Sequence, residues 1–235
     1  MAFTVSTASY RTWIEQYLEE PHKRKLALGA LDAFERLENA ASISADDLVP
    51  IVEAASCHFV RVWEIGADLL NRLAVHHQAA QDAIRNMLGD RKAEVRFHAI
   101  VALLGWSELP AAFTGSLIRL GLRDKSHQVR GKAAEAACRL GLTGLIRELE
   151  ASLKDEKHPI ARQSLELAVA LLRDGYLLQR TGGKLTNVWV KRERGRGWCI
   201  SVPITDDDLR RGRLSAIIAG AKAMPPRPQI SSGVT

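Results

Sequence analysis

The sequence predicts a mainly α-helical fold: an α-solenoid of about five antiparallel helix pairs over residues 1–175, closed by a basic β-hairpin and a capping helix over 176–223. Three observations carry that expectation. A short phrase recurs, as Phe59-Val60-Arg61, Glu94-Val95-Arg96, Gln128-Val129-Arg130 and the degenerate Pro159-Ile160-Ala161-Arg162. Its apolar positions are 35, 34 and 31 residues apart. A period in the thirties marks stacked helix pairs, each too small to bury its own apolar face. Between the phrases, apolar residues fall at helical spacing, and the connections are short and hold Gly or Asp. After Gly175 the helical pattern gives way to alternation with period two, and the charge balance turns positive.

Each element has its own signal. Ser6 and Thr7 are placed to cap a first helix over 8–20, with Trp13, Ile14, Tyr17 and Leu18 on its apolar face. Pro21 ends it, and a second helix over 22–40 buries Leu26, Leu28, Leu31, Phe34 and Leu37. Ser44 caps a third through Leu48, Ile51 and Val52, with Asp47 in the acidic position of a capping box. Helices follow at 59–74, 77–88, 94–105, 110–122, 127–141, 144–154 and 158–173. Tyr176-Leu177-Leu178, residues 187–193 and residues 198–204 read as strands. Turns at Thr181-Gly182-Gly183 and Arg194-Gly195-Arg196-Gly197 join them into a hairpin or a three-stranded meander. Thr205 and the acidic run Asp206-Asp207-Asp208 start a final helix that reaches Ala223. The Pro- and Ser-rich stretch 224–235 reads as a disordered tail.

Composition bounds the location and the partners. No apolar run is long enough to cross a bilayer, and residues 1–10 lack a charged segment followed by an apolar one. Cys57, Cys138 and Cys199 are scattered, with no CxxC spacing, and each adjoins apolar sequence. Together these predict a cytoplasmic protein with buried thiols and no membrane contact. The net charge of +6 is uneven. Residues 176–235 hold 11 Lys/Arg and 4 Asp/Glu, whereas residues 1–175 hold 22 and 23. The basicity therefore belongs to the last quarter of the chain.

The segment Leu88-Gly89-Asp90-Arg91-Lys92-Ala93-Glu94-Val95-Arg96, followed by an Ala/Leu-rich helix ending Leu104-Gly105, resembles a HEAT repeat. The likeness is to the short HEAT-like type also found in phycobilisome lyases. Leu122-Arg123-Asp124 through Gln128-Val129-Arg130 to Leu140-Gly141 is a second copy, and Leu153-Lys154-Asp155 to Leu171 a weaker third. The resemblance covers 88–173 well, extends less clearly back to 22, and stops after 175. It implies a fold rather than an activity, because such repeats serve scaffolds, regulators and a few enzymes. It also implies a ladder between the loop acids Asp90, Asp124 and Asp155 and the arginines Arg61, Arg96 and Arg130, with Ala161 and the displaced Arg162 interrupting the last rung.

Two sets of residues are candidates for binding. The first is the basic hairpin and the helix after it: Arg180, Lys184, Trp189, Lys191, Arg192, Arg194, Arg196, Trp198, Arg210 and Arg211, followed by Arg213. Cations interleaved with aromatics suit an acidic protein surface or the phosphates and bases of nucleic acid. The competing reading is a plain cap, with both tryptophans in the core. The second set is a row that changes from repeat to repeat on the inner face: Trp63, His98, Lys132 and Gln163, with Glu135 and Glu166 one turn on.

The motifs of nucleophilic, nucleotide-binding and zinc-peptidase sites are absent: no GxSxG, P-loop, GxGxxG or HExxH occurs. None of the seven histidines precedes a glutamate, which argues against the di-iron HEAT-like enzymes. His58, His127 and His158 recur one repeat apart, a spacing too wide for a shared zinc. The expectation is a non-catalytic adaptor or inhibitor, the immunity-protein type included, with an acidic protein partner and no metal or cofactor. Nucleic-acid binding through the hairpin is the alternative. A HEAT-like DNA glycosylase using Trp63, Glu64 and Asp68 is a more distant one.

Overall fold

The computed structural model describes residues 6–105, 109–191 and 199–224. Ser6 caps α1 (Thr7–Tyr17), its Oγ accepting the Ser9 N–H at 3.1 Å. Pro21 opens α2 (Pro21–Leu37) at a position whose N–H has no helical partner to lose. This helix buries Leu31, Phe34 and Leu37 together with Ala27, Ala30 and Ala33, while Leu26 and Leu28 stay half-buried at its edges. Ser44 and Asp47 form the reciprocal pair expected of them. The Ser44 N–H and Oγ donate to Asp47 Oδ2 at 2.8 and 2.7 Å, and the Asp47 N–H returns to Ser44 Oγ at 3.4 Å. A single 3-10 turn follows and leads into α3 (Val49–Ser56).

The next seven helices lie where the periodicity places them: α4 (Val60–Ala74), α5 (Gln78–Leu88), α6 (Ala93–Ala102), α7 (Ala111–Leu122), α8 (His127–Arg139), α9 (Ile146–Asp155) and α10 (Pro159–Arg173). Helices α2, α4, α6, α8 and α10 pack successively on one another, and α5, α7 and α9 succeed one another beside them. One apolar cluster runs through the set, from Ile14 to Leu172.

Small residues permit close approach between this row and its neighbours. A Cβ on Gly66 of α4 would lie 2.4 Å from the backbone nitrogen of Ala55 on α3. One on Gly121 would lie 2.9 Å from Ala133 Cβ and from Ile100 Cδ1. Ala133, Ala134, Ala136 and Ala137 of α8 are fully buried.

Burial also sets the register of the repeat. The third residue of α4, α6, α8 and α10 is buried: Val62, Val95, Val129 and Ala161. Val60 and Ile160, the apolar members of the first and fourth phrases, are 59% and 66% exposed. The phrase marks the buried position in the two middle copies only. In the outer two the match of an apolar residue before Arg61 or Ala161 is out of step with the packing.

Three strands follow in the order β1 (Tyr176–Thr181), β2 (Lys184–Lys191) and β3 (Cys199–Pro203), all antiparallel. Gly182 and Gly183 take φ of +57° and +78° and make the two-residue turn between β1 and β2. The expected turn at Arg194–Gly197 lies outside the described residues, as does the expected tail beyond Met224. Alternation gives the sheet two apolar faces. Val188 and Val190 pack with Ile204 and with Ala221 of the last helix, whereas Trp189 and Cys199 pack on the main helical core.

The final helix is not continuous. Thr205 and Asp208 form a full capping box at the start of α11 (Asp206–Arg210), and the chain then breaks before α12 (Leu214–Ala223). Gly212 sits at φ +67°, and the Arg213 N–H bonds back to the Asp208 carbonyl at 2.9 Å, the usual glycine-terminated helix end. Among the described residues, no helix is long and apolar enough to cross a membrane.

The glycine contacts make a paired prediction. Gly66→Ala drives a methyl into the α3 backbone and lowers stability by about 1–3 kcal/mol. Gly29→Ala, in the interior of α2 with no atom near its Cβ, raises stability by about 0.5–1 kcal/mol. Urea denaturation of the two variants checks both signs.

Candidate functional site

Four of the six inner-face candidates come together. Trp63, His98, Lys132 and Glu135 line one concavity of about 600 Å³, with Phe97, Gln128 and Ser164 beside them. The site is built from α4, α6, α8 and α10, so its side chains come from helices far apart in sequence. The half-buried Trp63 indole stacks on the His98 imidazole at 4.1 Å between centroids and 12° between planes, and Phe97 meets it edge-on at 6.3 Å. Lys132 Nζ stands 5.4 Å from the Phe97 ring centroid and pairs with Glu135. The surface is an aromatic floor with one cation, Lys132, and two carboxylates, Glu94 and Glu135, around it.

His98 is only 2% exposed, so it works beneath the surface rather than on it. Its Nδ1 is 2.9 Å from the Ala55 carbonyl oxygen, which fixes that nitrogen as the N–H donor. Burial holds the imidazole pKa below its ordinary value, with the Ala55 bond acting in the opposite direction. A neutral ring locked to α3 is a rigid support for Trp63.

Gln163 and Glu166 lie off the groove. Both are exposed, and Glu166 pairs with Arg162 on its own helix at 3.1 Å. The residue that reaches the groove from α10 is Ser164. The one-residue slip has the same origin as that of the repeat: Ala161, not Ile160, is the buried position. Reading the row from the buried residue instead of the phrase would have found Ser164.

The ladder likewise shifts by one residue. Arg96 grips Asp124 with two bonds of 2.6 and 2.8 Å, and its remaining nitrogen donates to the carbonyls of Asp90 and Arg91. Arg130 repeats this with Glu156, at 2.6 and 2.8 Å, and with the carbonyls of Asp124 and Lys125. The acid is therefore Glu156 rather than Asp155. Arg162 donates to the Glu156 carbonyl and so fills the arginine position of the fourth copy. Arg61 is outside the ladder, exposed and paired with Glu64 at 2.9 Å. Asp90 serves its own loop, accepting the Lys92 N–H at 2.7 Å.

The cations of the hairpin region are largely matched by the acids beside them. Arg180 pairs with Asp206 at 3.0 Å, Arg211 with Asp207 at 2.7 Å, Arg210 with Asp207 at 3.6 Å and Arg213 with Asp208 at 3.4 Å. Trp189 donates its indole N–H to Gln179 Oε1 at 2.9 Å and packs on the helical core. Lys184 is exposed at the β1–β2 turn, and Lys191 lies near the end of α8. Arg192, Arg194, Arg196 and Trp198 lie outside the described residues.

The remaining candidates are separated. Trp63 faces the groove, but Glu64 pairs with Arg61, and Asp68 accepts the Tyr10 hydroxyl at 2.9 Å. Burial raises the Asp68 pKa, against that bond and the charge of Arg72. His127 and His158 are not a repeat spacing apart: their rings stack at 3.4 Å between centroids. Among the described residues, no three His, Cys, Asp or Glu side chains are grouped to hold a metal ion. The three thiols are unpaired, and burial pushes Cys138 up to about 12 and Cys199 up to about 11.

No family model matches the chain, and no curated protein matches it. The functional reading therefore rests on the geometry of the chain itself.

The Arg130–Glu156 rung makes a pH prediction. Hydrogen bonds from Arg130 hold the Glu156 carboxyl down to about 2, from an ordinary 4.5, and its side chain is 1% exposed. A folded-state pKa below the unfolded one contributes stability that is complete above about 4.5 and disappears as pH falls through about 2. The contribution is about 3 kcal/mol. Unfolding free energies of the wild type and Glu156→Gln should differ by about that amount at pH 7 and converge near pH 2.

Proposed function

We propose that the chain is a HEAT-like α-solenoid that works as a non-catalytic binding protein, an adaptor or an inhibitor, and that it engages an acidic protein partner. The observation that carries this reading is the groove of Trp63, Phe97, Lys132 and Glu135, which crosses four successive helices of one row. Stacked helical repeats hold such a row rigid, so its side chains are presented with little conformational entropy left to lose on binding. A half-buried tryptophan on a locked support is the kind of residue that dominates binding energy at protein interfaces.

The charge of residues 176–235 favours an acidic partner, and Arg192, Arg194 and Arg196 supply the cations of the hairpin contact. The cytoplasm is the compartment that suits the three free thiols.

The test is affinity capture with the wild-type chain and two variants, followed by direct binding of the partner recovered. Trp63→Ala should weaken binding by about 2 kcal/mol, roughly 30-fold, with unchanged circular dichroism. Arg192→Glu with Arg194→Glu and Arg196→Glu should slow association and reduce its salt dependence. Partner affinity indifferent to Trp63→Ala would refute the groove. Tight binding of duplex or single-stranded nucleic acid, with a steep salt slope lost in the triple variant, would replace the protein partner with a nucleic acid.

A further inference from the structure

A second concavity, of about 690 Å³, opens on the loop edge where α8 and α10 begin. Five Lys/Arg and three Asp/Glu line it. Two of the acids are already engaged, Glu148 by Arg119 at 2.9 Å and Glu156 by Arg130 at 2.6 Å. That leaves Arg123, Lys125 and Lys157, all exposed, facing a cleft in which Asp155 is the one remaining carboxylate. Among the described residues, no ion pair or side-chain hydrogen bond engages any of the three. They come from the end of α7, the α7–α8 loop and the α9–α10 loop, so the fold and not local sequence collects them.

The same cleft is lined by the stacked pair His127 and His158, at 3.4 Å and 11°. The Nδ1 of His158 is buried and has no hydrogen-bond partner among the described residues. The first turns of α8 and α10 open at the same edge, and their backbone amides add to the positive potential. Like charges gathered at one cleft repel, and an anion bound between them removes that cost. A guanidinium fork with two ammonium groups suits a tetrahedral oxyanion in particular. With three unpaired cations against one carboxylate, the local excess matches a dianion better than a monoanion.

The geometry points to this cleft as a binding site for a phosphate-type dianion, free or as a phosphate monoester, held by Arg123, Lys125 and Lys157 against the His127–His158 pair. The site is separate from the Trp63 groove, although His127 borders both.

The experiment is calorimetric titration of the full chain with inorganic phosphate and with phosphoserine, each at constant ionic strength set by chloride. Saturable one-site binding is expected, weakened at least roughly tenfold in Arg123→Gln/Lys157→Gln, the loss of about one charge-assisted bond. Trp63→Ala should leave it unchanged. Tighter binding of phosphoserine than of phosphate identifies the monoester as the ligand, and the reverse identifies the free ion. A second readout needs no variant: the imidazole NMR signals of His127 and His158 should shift with phosphate and not with chloride. Heats no different from those of chloride, equal affinity in the double variant, or unmoved imidazole signals would each overturn the site.

Discussion

The arrangement depends on two guanidinium–carboxylate pairs. Arg96 is 5% exposed, and Arg130 is half-buried against the buried Glu156, so removing either partner would leave a charge away from water at a cost of several kcal/mol. Each arginine ties three pieces of chain at once: the loop before its own helix through two carbonyls, its own helix through its backbone, and the next loop through a carboxylate. The carboxylate then turns back to its own backbone, Asp124 to the Ser126 N–H and Glu156 to the His158 N–H, each at 2.7–2.9 Å. One side chain therefore sets both the distance between neighbouring helices and the start of the next one. A well-packed apolar pair at the same place could match its stability. It could not fix the register, because only the fork accepts a carboxylate in a single geometry.

The ladder stops where the sheet begins. Arg162 keeps the carbonyl bond of its predecessors but finds its carboxylate on its own helix, at Glu166. After α10 the chain turns at Asp174 and Gly175 into β1. The far side of α10 meets β1 and β2, with Trp189 and Cys199 packed on the helical core. The opposite face of the same sheet must then be covered as well. The broken helix pair α11 and α12 does this, with Ile217 and Ala221 against Val188 and Val190. A two-sided sheet is a sound end for a row of helices, since it converts an open apolar layer into a closed one.

The helices were legible because their signals are local: capping residues, apolar spacing, and Gly or Pro at the boundaries. The Ser44–Asp47 pair could be read from sequence because a capping box is a contact at fixed spacing, and Thr205 with its acidic run marked a helix start. The register of the outer repeats was not legible. Val60 precedes Arg61 and Val62 follows it, and Ile160 and Ala161 both precede Arg162, so the phrase does not mark which apolar residue is buried and packing alone decides. That one-residue ambiguity moved the α10 contribution to the groove from Ser164 to Gln163. Charge counting met a related limit. The basic excess of the last quarter is real, but Arg180, Arg210, Arg211 and Arg213 pair with Asp206, Asp207 and Asp208, and a net charge cannot show which cations have partners.

The same bookkeeping explains why the α8–α10 edge differs from the rest of the surface. Along the ladder every buried acid is committed to an arginine, so the acids that might have neutralised nearby lysines are unavailable. Arg123 and Lys125 flank Asp124, and Lys157 follows Glu156, so the cations at this edge adjoin carboxylates whose charge is already held inward by Arg96 and Arg130. Burial works against the Asp124 carboxylate, yet the bonds from Arg96 and the Ser126 N–H hold its pKa below the ordinary carboxylate range. It stays an anion, facing the core. The interaction that fixes the spacing of α6, α8 and α10 thus turns the acids inward and leaves Arg123, Lys125 and Lys157 outside, between two successive rungs.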